Sequence, residues 1–321
     1  MKILTHRGHC GHQYELWRLP HEFTLVQGIG SFSDAWGNNT RPLRSNAKFV
    51  HKNNINVKDY DLALIHVDEY CIDPPEKYPQ LIDMGWVTRL EYFIDLDIPK
   101  IYVMHGTPRM DEPLDDVKRV SAIDKIRATI GDDLVICNSE QQRVEWGFPN
   151  SVCIHHGFDP EEFRQTSYLD RVFYMNMATK GSRPVCNGKP MYDNTVDKVL
   201  LGANLGFAPI QPSFEHYKTY MATRAFFINF TYCSPMPRNR GESLMNGSVT
   251  ISTSNYDWDE IITHGTDGFL CDTPEEFAET INFINQNQDK VIKEVGPKAR
   301  KKAIELFHKD IYINDWKKIL S

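Results

Sequence analysis

Short apolar runs recur along the chain at intervals too wide for hairpins. Lys2–Thr5, Phe23–Gln27, Asp61–Val67, Lys100–Met104, Leu134–Cys137 and Ser151–Ile154 are separated by longer polar stretches compatible with helices, the first of them Gln13–Leu19. Continuous apolar runs of this length, punctuated by helical segments, are the pattern of a parallel sheet covered on both faces, so an α/β domain is predicted. A polar stretch, Glu161–Arg171, then intervenes. The same alternation resumes with Val172–Met175, Val199–Ala203, Ala225–Phe230, Val249–Ile251 and Gly268–Leu270, which predicts a second α/β domain. The predicted organisation is 1–160, 161–308, and a closing helical segment 309–321. Thr273-Pro-Glu-Glu276 marks a helix start, with Thr as N-cap, Pro at the first position and a capping-box glutamate.

In open parallel sheets ligands bind beyond the carboxyl ends of the strands. The first run leads into Thr5-His-Arg-Gly-His-Cys-Gly-His12, and later ones into His66-Val-Asp68-Glu69, His105-Gly-Thr107, Asn138-Ser139 and His155-His156. Histidine stands at most of these ends. Gly8 and Gly11 let backbone approach a phosphate, or else serve a tight turn. His105 is placed to meet a ligand oxygen. Asp68 and Glu69 are candidates for an acceptor base, or for the cap of the next helix. His6, His9, Cys10 and His12 suggest zinc by type, but they crowd together without a distant second pair, and no metal site is expected there. Asp95-Leu-Asp97 has the spacing of a metal–diphosphate motif but precedes its strand, so it would point away from the ligand end.

Further on, Pro237-Arg-Asn-Arg-Gly-Glu-Ser-Leu-Met-Asn246 reads as a short helix with a charged entrance, running into the strand at Val249. Arg238 and Arg240 would join the positive helix end in holding an anion, and Glu242, expected in the first turn, could accept from ribose hydroxyls. Lys180-Gly-Ser-Arg183 supplies another candidate cation pair.

With 321 residues, 41% hydrophobic and 25% charged, the composition is that of a globular chain long enough for two cores. A formal net charge of −7 disfavours broad attachment to nucleic acid or anionic lipid. The seven cysteines sit mostly in apolar runs as free thiols, and no stretch reaches membrane-spanning length, so a cytoplasmic protein is expected.

Glu242–Ser252, Asp257–Leu270, Val103–Pro108, Leu134–Ser139 and Val152–Asp159 together resemble GT-B glycosyltransferases, most closely the retaining family 4. The resemblance implies two doubly wound Rossmann-like domains facing across a cleft, with the last helix returning to the first. It implies transfer of a sugar from a nucleoside diphosphate donor to a hydroxyl acceptor, with retention and without metal or other cofactor. Glu242 would hold the ribose. Gly8, Gly11, Lys180, Arg183, Arg238 and Arg240 would contact the diphosphate, and His105 would sit by the donor sugar, with Asp68 a second catalytic candidate. Where those enzymes often carry a first glutamate, this chain has Ser234, which would meet the sugar instead. The acceptor would be a glycan, with modified nucleic acid a lesser option, recognised through Phe32–Lys48 and Asp73–Trp86. A nucleotide-sugar epimerase, a phosphorylase or a non-catalytic nucleotide-sugar-binding protein would share the same architecture.

Overall fold

The computed structural model describes residues 1–29, 36–37, 41–71, 86–108, 116–167, 169–175, 186–199 and 202–321. The chain divides into two compact units, Met1–Ile154 with Lys317–Ser321, and His155–Trp316.

The first unit holds strands β1 (Lys2–Thr5), β2 (Glu22–Gln27), β3 (Ala47–His51), β4 (Leu62–Val67), β5 (Lys100–Met104), β6 (Leu134–Cys137) and β7 (Ser151–Cys153), with helices α1 (Cys10–Leu16), α2 (Trp86–Ile94), α3 (Asp116–Ile130) and α4 (Glu140–Trp146). Among the described residues the strands form one parallel sheet in the order β3-β2-β1-β4-β5-β6-β7. The chain steps outward from β1 in both directions, so the sheet has its switch point between β1 and β4, the place where such folds bind ligands. Every residue of β4 is buried, as a central strand covered on both faces requires. Tyr102, Met104, Val135, Cys137 and Trp146 contribute to the core around it.

The second unit holds β8 (Asp170–Met175), β9 (Leu205–Phe207), β10 (Arg224–Asn229), β11 (Val249–Ser252) and β12 (Phe269–Leu270), in the parallel order β12-β11-β10-β8-β9. Its switch point lies between β8 and β10. Helices α5 (Lys189–Val196), α6 (Phe214–Ala222), α7 (Arg238–Asn246), α8 (Trp258–Ile261), α9 (Pro274–Gln286) and α10 (Gln288–Phe307) belong to this unit, and α11 (Lys309–Ile319) closes the chain. Phe173 stacks on Phe226 at 4.6 Å in its core. Phe158 and Phe163 are fully buried against Phe307 and Phe214, which places the chain from His155 onward within this unit.

Thr273 and Glu276 form the expected reciprocal capping box at α9. The strand expected at Val199–Ala203 forms later, as β9: Gly202 has φ +111°, which breaks an extended run, and residues 200–201 lie outside the described residues. Among the described residues, no helix is long and apolar enough to cross a membrane.

Candidate active site

In the first unit the two strands at the switch point end in histidines that hold each other in place. The His66 backbone N–H donates to His6 Nε2 at 3.1 Å, so the proton of the neutral His6 ring sits on Nδ1, from which it donates to the Arg7 carbonyl at 3.0 Å. Arg89, on α2, also donates to that carbonyl. Gln13 of α1 closes the loop from the other side, donating to the His6 carbonyl and accepting from the Gly8 N–H. His6 is completely buried, and burial first, then the nearby Arg89 charge, pushes its pKa down to about 3. Gly8 has a packing reason for lacking a side chain, since a Cβ there would come within 2.7 Å of the His66 ring. Gly11 is the second residue of α1 and is buried.

His105 follows β5 and meets His66 directly, with Nδ1 of His66 and Nε2 of His105 2.8 Å apart. The ring of His12 lies edge-on to His105 at 4.3 Å, and that of His9 stacks at 6.2 Å. Burial holds both His66 and His105 well below the ordinary histidine pKa, reinforced by the other histidines, so these rings are neutral. The backbone under His105 is clamped from α4 and the loop before it. Gln142 donates to the Met104 and Gly106 carbonyls, Asn138 Nδ2 to Met104, and the Trp146 indole to Gly106. Glu69 closes the remaining side, where a Cβ on Gly106 would lie 1.4 Å from its Oε2. Asp68 accepts from the Tyr70 N–H at 2.9 Å and from the Cys71 thiol, the hydrogen bonds of a turn. Among the described residues, none of these histidines belongs to a trio of ligand atoms close enough to share an ion.

The second unit gathers its polar groups at the start of α7, beyond the ends of β10 and β11. The helix begins immediately after Pro237, whose side chain cannot accept from the first-turn N–H groups. Glu242 therefore lies one turn in, not in the first turn as the sequence suggested, and this places it under Arg238. Arg238 Nη2 and Glu242 Oε1 are 3.3 Å apart, and both side chains are buried. Tyr217 of α6 donates to the other carboxylate oxygen at 2.5 Å. The Arg238 guanidinium lies over the Phe158 ring at 4.8 Å, and Phe158 in turn fills the space that a Cβ on Gly241 would need.

Arg240 is completely buried. Its Nη2 donates to Asn229 Oδ1, the Thr231 carbonyl and Thr253 Oγ1 at 3.0–3.3 Å, and the guanidinium lies over Trp258 at 4.6 Å. Among the described residues, Nε and Nη1 have no hydrogen-bond partner and no carboxylate forms an ion pair with the guanidinium, although the charge of Asp272 favours the cation. Burial pulls its pKa down to about 9, leaving the cation intact at neutral pH. Ser234 is half-buried in the loop between β10 and α7. Lys180 and Arg183 lie outside the described residues. Tyr217, Asn229 and Thr253 were not singled out from sequence, because their parts depend on which helix and strand ends the fold brings to α7.

The sequence matches no protein-family model and no curated protein. Solved structures do resemble the fold. Anabaena HepE, determined with UDP and glucose, is 13% identical with a TM-score of 0.65, over 100% of this chain and 99% of HepE. Sucrose-phosphate synthase from Thermosynechococcus elongatus is 10% identical with a TM-score of 0.71, over 100% and 98%. A Rickettsia africae glycosyltransferase is 11% identical with a TM-score of 0.62, over 99% and 97%.

The fold is GT-B. In GT-B terms the unit built on β1–β7 is the N-terminal Rossmann-like domain, and the unit built on β8–β12 is the C-terminal one. Each GT-B domain of this chain carries its polar cluster at the ligand-binding end of its own sheet.

Proposed function

We propose that this chain is a glycosyltransferase that takes a sugar from a nucleoside diphosphate donor and passes it to a hydroxyl acceptor, with retention and without a metal. The observation that carries the reading is the start of α7, where a buried Arg238–Glu242–Tyr217 chain and the buried Arg240 cation converge at the strand ends of the second unit. A departing nucleoside diphosphate gains negative charge, and preorganised cations with a helix end supply the stabilisation that a metal would otherwise give. Arg238 and the α7 backbone would hold the diphosphate, supported by the field of Arg240 and by Lys180 and Arg183. Glu242 would turn one oxygen to the ribose. In the first unit, His105 would hydrogen-bond the donor sugar and the Gly8–Gly11 loop would border the phosphate, with Ser234 a further sugar contact. The proposed acceptor is a glycan hydroxyl, and the protein would need no resident cofactor. HepE has been solved with UDP-glucose, which makes UDP and UDP-glucose the first ligands to try.

The test is thermal melting with UDP, UDP-glucose and the other nucleoside diphosphates, each with and without EDTA. A ligand at a hundred times its Kd adds about 2.7 kcal/mol to native stability, a readable shift. A shift that survives EDTA supports the reading; no shift with any nucleotide overturns it.

A further inference from the structure

The contact between His66 and His105 needs one proton, and the rest of the His66 ring decides where it sits. The Nδ1 to Nε2 distance of 2.8 Å requires one nitrogen to donate. The other His66 nitrogen, Nε2, is buried and among the described residues has no hydrogen-bond partner. Were His105 the donor, the neutral His66 ring would carry its proton on Nε2 and bury an orphaned N–H. With His66 Nδ1 as donor, Nε2 keeps only an unused lone pair. A buried unpaired donor is rarer and costs more than an under-used acceptor.

We propose that His66 is a positioning residue: by donating from Nδ1 it occupies His105 Nε2 and fixes His105 as the Nδ1–H tautomer, a neutral hydrogen-bond donor. The inference rests, for its catalytic meaning, on the proposed sugar contact of His105. His66 is itself held on every side that matters. Its backbone N–H is taken by His6, and its ring lies against Gly8, where a side chain would displace it. Burial and the surrounding His6, His9 and Arg89 keep the ring uncharged, so the donated proton is not one of two. His105 thereby meets a ligand oxygen as a donor, and its occupied Nε2 is closed to service as a base.

The experiment uses the full chain labelled with ¹⁵N-histidine. Long-range ¹H–¹⁵N spectra report each ring's tautomer, and the His105 signals are assigned by their loss in His105→Asn. His105 in the unsubstituted protein should be the Nδ1–H form. His66→Phe keeps a ring against Gly8 but has no donor, and His105 should become a tautomer mixture. UDP-glucose hydrolysis should then fall roughly tenfold, mainly in kcat, as expected for loss of an orienting partner. His66→Asn restores a donor near the Nδ1 position and should recover both readouts, even if the phenylalanine variant does not fold. An Nε2–H tautomer in the unsubstituted protein overturns the proposal. So does a phenylalanine variant with unchanged tautomer or unchanged turnover. If the unsubstituted protein neither binds nor hydrolyses a nucleoside diphosphate sugar, the glycosyltransferase reading falls, and the spectra still decide whether His66 sets the His105 proton.

Discussion

Glu242 is the residue on which the second unit's chemistry turns, because its two oxygens are already divided between a cation and a phenol. Oε1 faces Arg238 and Oε2 accepts from Tyr217. Removing one partner of a buried ion pair typically costs about 3–5 kcal/mol, since it leaves the other charge unpaired. Glu242→Ala is therefore expected to confound stability with binding. Glu242→Gln keeps an acceptor for Tyr217 and the side-chain volume while discarding the charge. We expect it to lower the urea midpoint, since Arg238 loses its counter-charge, but by less than the alanine, and to lose most of the nucleotide-induced melting shift. A full shift in Glu242→Gln would remove Glu242 from the ribose contact. Tyr217→Phe supplies the milder comparison, losing one hydrogen bond to a charged group, worth about 1.5–3 kcal/mol.

At the scale of elements, the central strands were legible in the sequence because burial on both faces leaves an unbroken apolar run. β1, β5 and β6 have the limits their runs suggested. β3 escaped, since an edge strand is only partly buried and Ala47-Lys-Phe-Val-His51 mixes the two kinds of residue in a short span. The first helix starts at Cys10, inside the stretch read as a polar loop, because Gly11 and His12 are buried by neighbours that the local sequence does not reveal. The histidine-bearing strand ends were legible by type. Their mutual contacts were not, because His6, His66 and His105 are joined only by parallel pairing of β1 with β4 and of β4 with β5. The turn after β5 offers a direct check on that assembly. Gly106→Ala would drive a methyl group into Glu69 and should destabilise the protein by about 1–3 kcal/mol in urea denaturation, as overpacking does. An unchanged midpoint would mean that Glu69 does not close this side of His105.

Over the whole molecule, the three histidines that contact one another and are held neutral by burial, His6, His66 and His105, lie in the Met1–Ile154 unit, and this weights the response of that unit to acid. His6 titrates near 6.5 when unfolded and at about 3 when folded. Between those values the unfolded chain binds a proton that the native ring refuses. The stability contribution is thus complete above about pH 6.5 and declines as pH falls toward 3, by up to about 1.4 kcal/mol per pH unit for each such ring. His66 and His105 shift in the same direction. Calorimetry should show the melting of the Met1–Ile154 unit moving down steeply between pH 7 and pH 5 while that of the His155–Trp316 unit moves less. Equal displacement of both units would contradict the neutral cluster.

Arg240 has a different kind of consequence. Of the atoms that accept from it, Asn229 Oδ1 also takes the Thr231 N–H and the Thr231 carbonyl also takes the Thr253 hydroxyl, while Thr253 Oγ1 is itself a donor to its other partners. Its removal would therefore orphan no donor and leave a single hydroxyl lone pair unused, a small cost set against the relief of a cation buried away from water. Arg240→Met should melt no lower than the parent protein, yet bind nucleoside diphosphates more weakly. Selection for thermal robustness alone would then discard this arginine, so its presence sets the demands of folding against those of work, and a stabilised variant recovered from a random library would be expected to have lost it.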